Sequence, residues 1–273
     1  MASVSVAIVT YRCDPRLLAR ALRSLVAAVA SARDRALLGE VAVHVIDNGP
    51  AEARAELDAA LAAWDAAGGR LVLHSGHGNL GYGRGNNLVL GALDSDVHLV
   101  MNPDVELDPA ALAAALAALD HHPEVGLVAP FVQGDDGACQ FLCKRYPSVW
   151  VLFLRGFAPP RLRERFGRSI AHYEMRDVIG DRFVGRVPLA SGCFMLVRTP
   201  LFVKLGGFDP RYFMYFEDYD LSMRLAREAS IAYVPEARIV HHGGEAARKG
   251  WRHVAWFVTS AWRFFARHGW KLA

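Results

Sequence analysis

From Ser3 to Asp120 the chain alternates apolar runs of strand length with apolar positions at helical spacing, and no other feature restricts its fold so strongly. Ser3–Tyr11 (SVSVAIVTY) is rich in β-branched residues and stops at Cys13-Asp14-Pro15. Leu18, Leu22, Leu25, Val26 and Val29 then recur as one face of a helix. Val41–Asp47 (VAVHVID) is a second strand, ended by Asn48-Gly49-Pro50. A helix covers about 52–66, Arg70–His74 is a third strand, and a glycine-rich loop leads to a helix over about 84–93. Val97–Met101 is the fourth strand and Pro109–Asp120 a further helix.

Such alternation predicts an α/β fold, a mostly parallel central sheet with helices on both faces. Ligands in such sheets sit beyond the carboxyl ends of the strands. Those ends carry Thr10-Tyr11, Asp47-Asn48, the glycine loop and Asn102-Pro103-Asp104, so four polar tips would converge on one crevice. Residues 140–183 are rich in Arg, Phe and Pro and show no clear period. Val187–Arg198 returns to a strand pattern broken at Ser191-Gly192. A short helix, the acidic and aromatic stretch Phe208–Asp220, a helix to about Glu228 and a strand through Tyr233 follow, then a Trp-rich helix over 251–268. No repeat or low-complexity linker divides the chain, so one continuous domain is expected.

Composition excludes several classes. A net charge of +3 is too small to argue for nucleic acid, and no nucleic-acid motif accompanies it. The cysteines at 13, 139, 143 and 193 form no CxxC pair and fit neither a disulfide framework nor a usual zinc site, so a reducing, cytoplasmic setting is expected. The N-terminus has no basic and apolar leader. The longest apolar run, residues 110–119, falls short of the ~18 residues of a membrane span.

Four stretches carry chemistry. In Asn102-Pro103-Asp104, Pro103 ends the strand and holds Asn102 extended, so Asn102 and Asp104 face one side beyond the sheet edge. A carboxylate there suits Mg²⁺ or Mn²⁺ shared with substrate phosphates, although the tripeptide alone is also simply a good turn. FMYFEDYDLSMRL (213–225) sets Glu217, Asp218 and Asp220 among aromatics at the start of a helix. Acids favour that position, yet burial and crowding there would also raise their pKa values and suit a general base. His241 and His242 follow a strand, where an imidazole could complete a metal site. HSGHGNLGYGRGNN (74–87) offers backbone amides to phosphate and Asn79, Asn86 and Asn87 to ribose or diphosphate. It contains GHGNLG, but after the third strand, whereas the dinucleotide fold carries that loop after the first.

In this order VAIVTY (6–11), VIDNG (45–49), NLGYGRGNN (79–87), MNPDVEL (101–107), SGCFMLVR (191–198), GGFDPRYFMYFEDYDLSMRL (206–225) and VPEARIVHHGG (234–244) resemble the family 2 inverting glycosyltransferases, and within them the bacterial rhamnosyltransferase-like branch. The resemblance spans nearly the whole chain. It implies a single Rossmann-like, A-type nucleotide-sugar domain over 1–248, with a nucleotide-binding half (1–104), an acceptor half (105–248) and an amphipathic helix over 249–273. By resemblance, Thr10, Tyr11 and Asp47 recognise the base and ribose, and Asn79, Gly81, Asn86 and Gly192 line the donor pocket. Asn102-Pro103-Asp104 stands where many relatives carry Asp-x-Asp, which makes Asp104 a metal ligand and His241 a second, with His242 as the fallback. Asp218 becomes the catalytic base, supported by Glu217 and Asp220. Asn102 removes one negative charge from that pattern, and Arg12 stands where relatives commonly carry Asn.

The reaction implied is one in-line displacement at the anomeric carbon, by a hydroxyl of a cell-surface glycan or lipid-linked acceptor. dTDP-rhamnose is the favoured donor, with UDP-sugars open. Trp251, Val254, Ala255, Val258, Ala261, Trp262 and Phe265 form a helical stripe flanked by Arg248, Lys249 and Lys271. That helix suits either the inner face of an anionic membrane, through 248–271, or packing against its own domain or a second copy in a homodimer. Two rivals stand beside this reading: an NAD(P)-dependent oxidoreductase using GHGNLG, and a non-catalytic sugar-nucleotide binder.

Overall fold

The computed structural model describes residues 1–64, 68–243 and 250–273. Gly244, Arg248, Lys249, the end of the helix expected over 52–66 and the boundary expected at 248/249 lie outside them. The first half follows the alternation. Strand β1 (Ala2–Thr10) leads to α1 (Pro15–Asp34), which starts where Asp14 accepts the Arg16 N–H and Pro15 presets the first turn. Then come β2 (Leu38–Asp47), α2 (Arg54–Leu61), β3 (Arg70–His74), α3 (Tyr82–Asn87) and β4 (Val97–Met101). The chain continues through β5 (Val105–Leu107), α4 (Ala111–His121) and β6 (Val125–Gln133). The irregular stretch holds three short helices, α5 (Val149–Gly156), α6 (Pro160–Arg165) and α7 (Gly167–Tyr173). It is followed by β7 (Phe194–Arg198), α8 (Thr199–Lys204), α9 (Glu217–Leu225), β8 (Ser230–His241) and α10 (Trp251–His268).

Among the described residues these strands form one sheet in the order β3-β2-β1-β4-β7-β6-β8-β5. β1 pairs in parallel with both β2 and β4, so the winding reverses there and opens a crevice at their carboxyl ends. Only β7 and β5 run antiparallel to their neighbours. The central strands are almost wholly buried, with Val6, Ile8, Leu99, Phe194 and Leu196 at zero exposure, and α1 and α4 cover one face with Leu18, Leu22, Leu25, Leu112 and Leu116. Strand β5 was not foreseen, and it matters most for the site. It pairs Val105 with His241, and the His242 N–H donates to the Asp104 carbonyl at 3.0 Å, so the tip of β4 is brought against the end of β8.

α10 packs on its own domain. Phe264 and Phe265 are buried with Tyr212 and Phe216, and the Ser260 hydroxyl donates to Met214 O at 2.9 Å. The apolar stripe read from sequence therefore splits: Phe265 and Ala261 face the domain, while Trp251 (76% exposed), Val258 and Trp262 face outward. No helix of the described residues is long and apolar enough to cross a membrane.

Candidate active site

Two adjoining hollows open at the crevice. The first, about 370 Å³, is walled by Thr10 and Tyr11 at the end of β1, Asn48 just past β2, Asn79 and Gly81 from the glycine loop, and Asn102, Pro103 and Asp104 just past β4. The second, about 350 Å³, is walled by Ser191, Gly192, Glu217, Asp218, Arg155 and Tyr173. Tyr82, Asn102 and Met214 belong to both, so Asp104 and Asp218, remote in the chain, stand on two lobes of one cleft. The buried Cys193 thiol is pushed up to about 12, chiefly by desolvation, and both Asp104 and Asp218 add to the shift.

The glycine loop earns its glycines at Gly81, whose φ is 83° and whose Cβ would lie 2.2 Å from the Phe213 carbonyl. The same carbonyl accepts the Tyr82 N–H at 3.0 Å, which joins the loop to the segment before α9. Asn48 ties β2 to this loop by donating to Gly81 O at 3.0 Å, with its Oδ1 3.0 Å from His77 Nε2.

Asp104 Oδ1 is buried and, among the described residues, has no hydrogen-bond partner. His241 Nε2 lies 3.7 Å from it. Gln140 fixes that imidazole: its amide nitrogen donates to His241 O at 3.0 Å, so its Oε1 must accept the proton of Nδ1, also at 3.0 Å. A neutral ring so held would turn its Nε2 lone pair toward the carboxylate, an arrangement able to take a cation between the two. A Cβ at Gly243 would sit 2.3 Å from Asp104 Oδ2, so glycine is what leaves this space open. Carboxylate and imidazole suit a divalent ion. No group of three or more His, Cys, Asp or Glu able to hold a metal occurs among the described residues, so Asp104 and His241 form at most a two-residue set. His242, the fallback, instead bonds Glu106 at 2.5 Å and Asp135 through its two ring nitrogens.

In the second lobe Asp218 Oδ2 accepts the Gly192 N–H at 3.0 Å and Oδ1 accepts the Tyr219 N–H at 2.8 Å, at the start of α9. Tyr82 OH donates to Gly192 O at 2.5 Å and so fixes the peptide that holds Asp218. Tyr215 and Phe216 aim α9: both have left-handed backbones, φ 70° and 65°, a conformation rare for aromatic residues. Burial raises the carboxyl pKa of both Glu217 and Asp218, with their mutual repulsion adding for Glu217 and backbone N–H groups opposing for Asp218. Glu217 Oε2 has no partner among the described residues, so Glu217 is the member that keeps a proton and Asp218 the one held as an anion. A raised carboxyl pKa means tighter proton binding in the folded chain, so stability falls as pH climbs above 4.5, the ordinary value. Glu217→Gln should melt like wild type near pH ~4 and at least about 3 °C higher near pH ~8. Differential scanning calorimetry checks this, and coincident curves at both pH values would refute it.

Three of the residues named from sequence lie elsewhere. Asp220 follows Asp218 by two positions, which on a helix turns it by roughly 200° to the opposite face. There it is fully buried and bonds Arg224 at 2.7 Å and His268 at 2.8 Å, with Arg267 at 3.2 Å. It anchors α10 and does not reach the cleft. Asn86 is also fully buried; its amide donates to Tyr82 O at 3.1 Å, so it braces α3 from behind the pocket. Asp47 Oδ1 accepts the Gly49 N–H at 2.8 Å and shapes the turn, leaving Asn48 on the wall in its place. Arg12 is exposed in a left-handed turn, φ 47°. Sequence reasoning missed Gln140, Arg155 and Tyr173, which sit in the stretch without a period. GHGNLG follows β3 and leads only into the short α3, while the β1–α1 junction carries Arg12-Cys13-Asp14, so no dinucleotide fingerprint occupies the switch point.

Comparison with known proteins agrees with this architecture. Residues 5–191 match the family model described as Glycosyl transferase family 2. The chain is 33% identical over 210 residues to the N-acetylglucosaminyl-diphospho-decaprenol L-rhamnosyltransferase of Mycobacterium tuberculosis, covering 70% of this chain and 66% of that one. It is 39% identical over 83 residues to rhamnosyltransferase WbbL of Escherichia coli, 30% of this chain and 31% of that protein. The fold is similar to that of GalNAc-T7 solved with UDP, GalNAc and Mn²⁺, with a TM-score of 0.64, 15% identity, and coverage of 97% of this chain and 48% of that one. This chain belongs to glycosyl transferase family 2.

Proposed function

We propose that the chain is an inverting glycosyltransferase that moves rhamnose from dTDP-rhamnose to a hydroxyl of a lipid-linked or cell-surface glycan acceptor. The observation that carries this reading is the two-lobed cleft with Asp104 and His241 on one side and Asp218 on the other. The two rhamnosyltransferase relatives favour that sugar. Nucleoside and diphosphate occupy the first lobe, against Thr10, Tyr11, Asn48 and Asn79, and the acceptor hydroxyl enters the second. Asp104 and His241 would hold Mg²⁺ or Mn²⁺, with the donor's diphosphate and water completing the ligands. Such an ion, when bound, neutralises charge developing on the leaving diphosphate. Asp218 takes the hydroxyl proton as the acceptor oxygen bonds to the anomeric carbon and the bond to the diphosphate breaks. Gly192 and Tyr219 keep the carboxylate aimed, and the buried Glu217 stays protonated beside it.

A thermal-shift panel tests the donor. Saturating dTDP-rhamnose with Mn²⁺ should add about 2–3 kcal/mol of apparent stability at roughly 100 times Kd, several degrees in Tm, with less from UDP-sugars and none from NADH. A shift from NADH alone would return the oxidoreductase reading; a donor shift without sugar transfer or donor hydrolysis would leave a sugar-nucleotide binder.

The segment after α10 meets the start of α5: the Val149 and Trp150 N–H groups donate to the Lys271 and Leu272 carbonyls at 2.8 and 3.0 Å. The exposed apolar surface of these segments is made of Val149, Phe153, Phe157, Trp251, Val258 and Trp262, and Arg252 is exposed as well. This surface suits peripheral contact with an anionic inner leaflet. Wild type should co-sediment with vesicles containing anionic lipid, and a double variant, Trp251→Glu with Trp262→Glu, should stay in solution. Equal pelleting of both would remove the membrane from the proposal. Point variants serve better than truncation, because Phe264 and Phe265 of α10 belong to the core.

A further inference from the structure

Helix α10 packs on the domain and also walls the cleft. His253 and Trp256 line the first lobe, and Phe257, the next residue, lines the second. Trp256 is half-buried, and its ring centroid lies 4.7 Å from that of Phe213. The His253 ring stands 4.9 Å from the same indole and is itself tied to the segment before α9, with Nδ1 2.8 Å from Tyr215 OH. The indole is therefore held from two sides. Met214 follows Phe213 and belongs to both lobes. Phe213, Met214 and Trp256 thus make an apolar wall where the two lobes join.

A sugar in transfer must sit at that junction, because its anomeric carbon lies between a diphosphate near Asp104 and the base Asp218. Tyr82, Asn102 and Met214 are the residues common to both lobes. The Tyr82 hydroxyl already donates to Gly192 O at 2.5 Å, so Asn102 is the one that meets sugar hydroxyls. The apolar wall offers no side-chain partner apart from the indole N–H. A hydroxyl pressed against it would give up water for little in return, whereas a methyl group there is buried at a gain. Rhamnose is a deoxy sugar, with a methyl where an ordinary hexose carries its terminal hydroxymethyl group. We infer that Phe213, Met214 and Trp256 receive that methyl and so select a deoxy sugar, which makes the C-terminal helix a determinant of donor specificity. This inference rests on the glycosyltransferase reading. It gives the donor's sugar a contact that the nucleotide does not share.

Calorimetric titrations with Mn²⁺ and no acceptor test it, comparing dTDP-rhamnose with dTDP-L-mannose, which differs by one hydroxyl on that carbon. Wild type should bind the rhamnose donor about tenfold or more tightly, the discrimination that an apolar pocket gives for one small group. Trp256→Ala should bring the two affinities within about threefold, chiefly by weakening dTDP-rhamnose, and leave dTDP itself at the wild-type Kd. Met214→Gln should bring them together as well, by giving the extra hydroxyl a partner. It keeps the carbonyl that accepts from Ser260, so it serves where Trp256→Ala does not fold. Equal affinity of wild type for both donors, binding of neither, or an unmoved preference in either folded variant would overturn the inference. A loss of dTDP binding in Trp256→Ala would assign the indole to the nucleotide and overturn it too. Sugar transfer by wild type reads the transferase activity separately. Its absence would sink that reading, while the ratio of the two affinities still decides whether the wall selects the methyl.

Discussion

Asp218→Asn should lower kcat by about 10²–10⁴ and leave donor affinity unchanged. The amide keeps the shape of the side chain, and its oxygen can still accept one of the N–H groups of Gly192 and Tyr219 that position Asp218 now. What it loses is the capacity to take a proton. Because Asp218 stands in the lobe away from Asp104, dTDP binding with Mn²⁺ should report wild-type Kd. Steady-state kinetics with single-turnover transfer measures the first quantity, and calorimetry the second. Near-normal turnover would remove Asp218 from the chemistry and move attention to Glu217.

Asp220→Ala should do the reverse: about 3 kcal/mol or more of stability lost, with kcat per folded molecule close to wild type. Its carboxylate is fully buried, and its removal takes the counter-charge from Arg224 and the hydrogen-bond partner from His268 Nε2, while Arg267 keeps Asp209. Arg224 also donates to the carbonyls of Leu205 and Gly207, at 2.9 and 2.8 Å, which keeps the expected loss toward the lower end for a broken buried pair. Urea unfolding reads the loss. A kcat that collapsed while the melting curve stayed in place would put Asp220 back into catalysis.

These two acids stand two residues apart and were read alike from sequence, which shows where such reading stops. Periodicity located the strands whose ends build the cleft, because a period of two or of 3.6 is written locally. The side of a helix that a given acid occupies depends on where the helix begins. α9 begins at Glu217 because Tyr215 and Phe216 adopt backbone angles that no pattern announces. The meeting of Asp104 with His241 depends on β5, three residues long and too short to carry a period. Gln140 lies outside any helix or strand, and Arg155 and Tyr173 lie in helices of eight and seven residues, too short to show a clear period. The glycine loop was legible from its residue types, although the reason for Gly81 is long-range: Phe213 O leaves no room for a side chain there.

The two left-handed aromatics before α9 have a further meaning. Each such residue costs on the order of 1–3 kcal/mol, so the peptide beside Asp218 is a wound spring that something must hold down. The clamp is α10: Phe257 and Phe264 press on Phe216 at ring separations of 5.2 and 5.4 Å, and His253 Nδ1 lies 2.8 Å from Tyr215 OH. α10 therefore acts as the latch on the second lobe, and loosening Phe257, Phe264 or His253 would slacken the bend that aims α9.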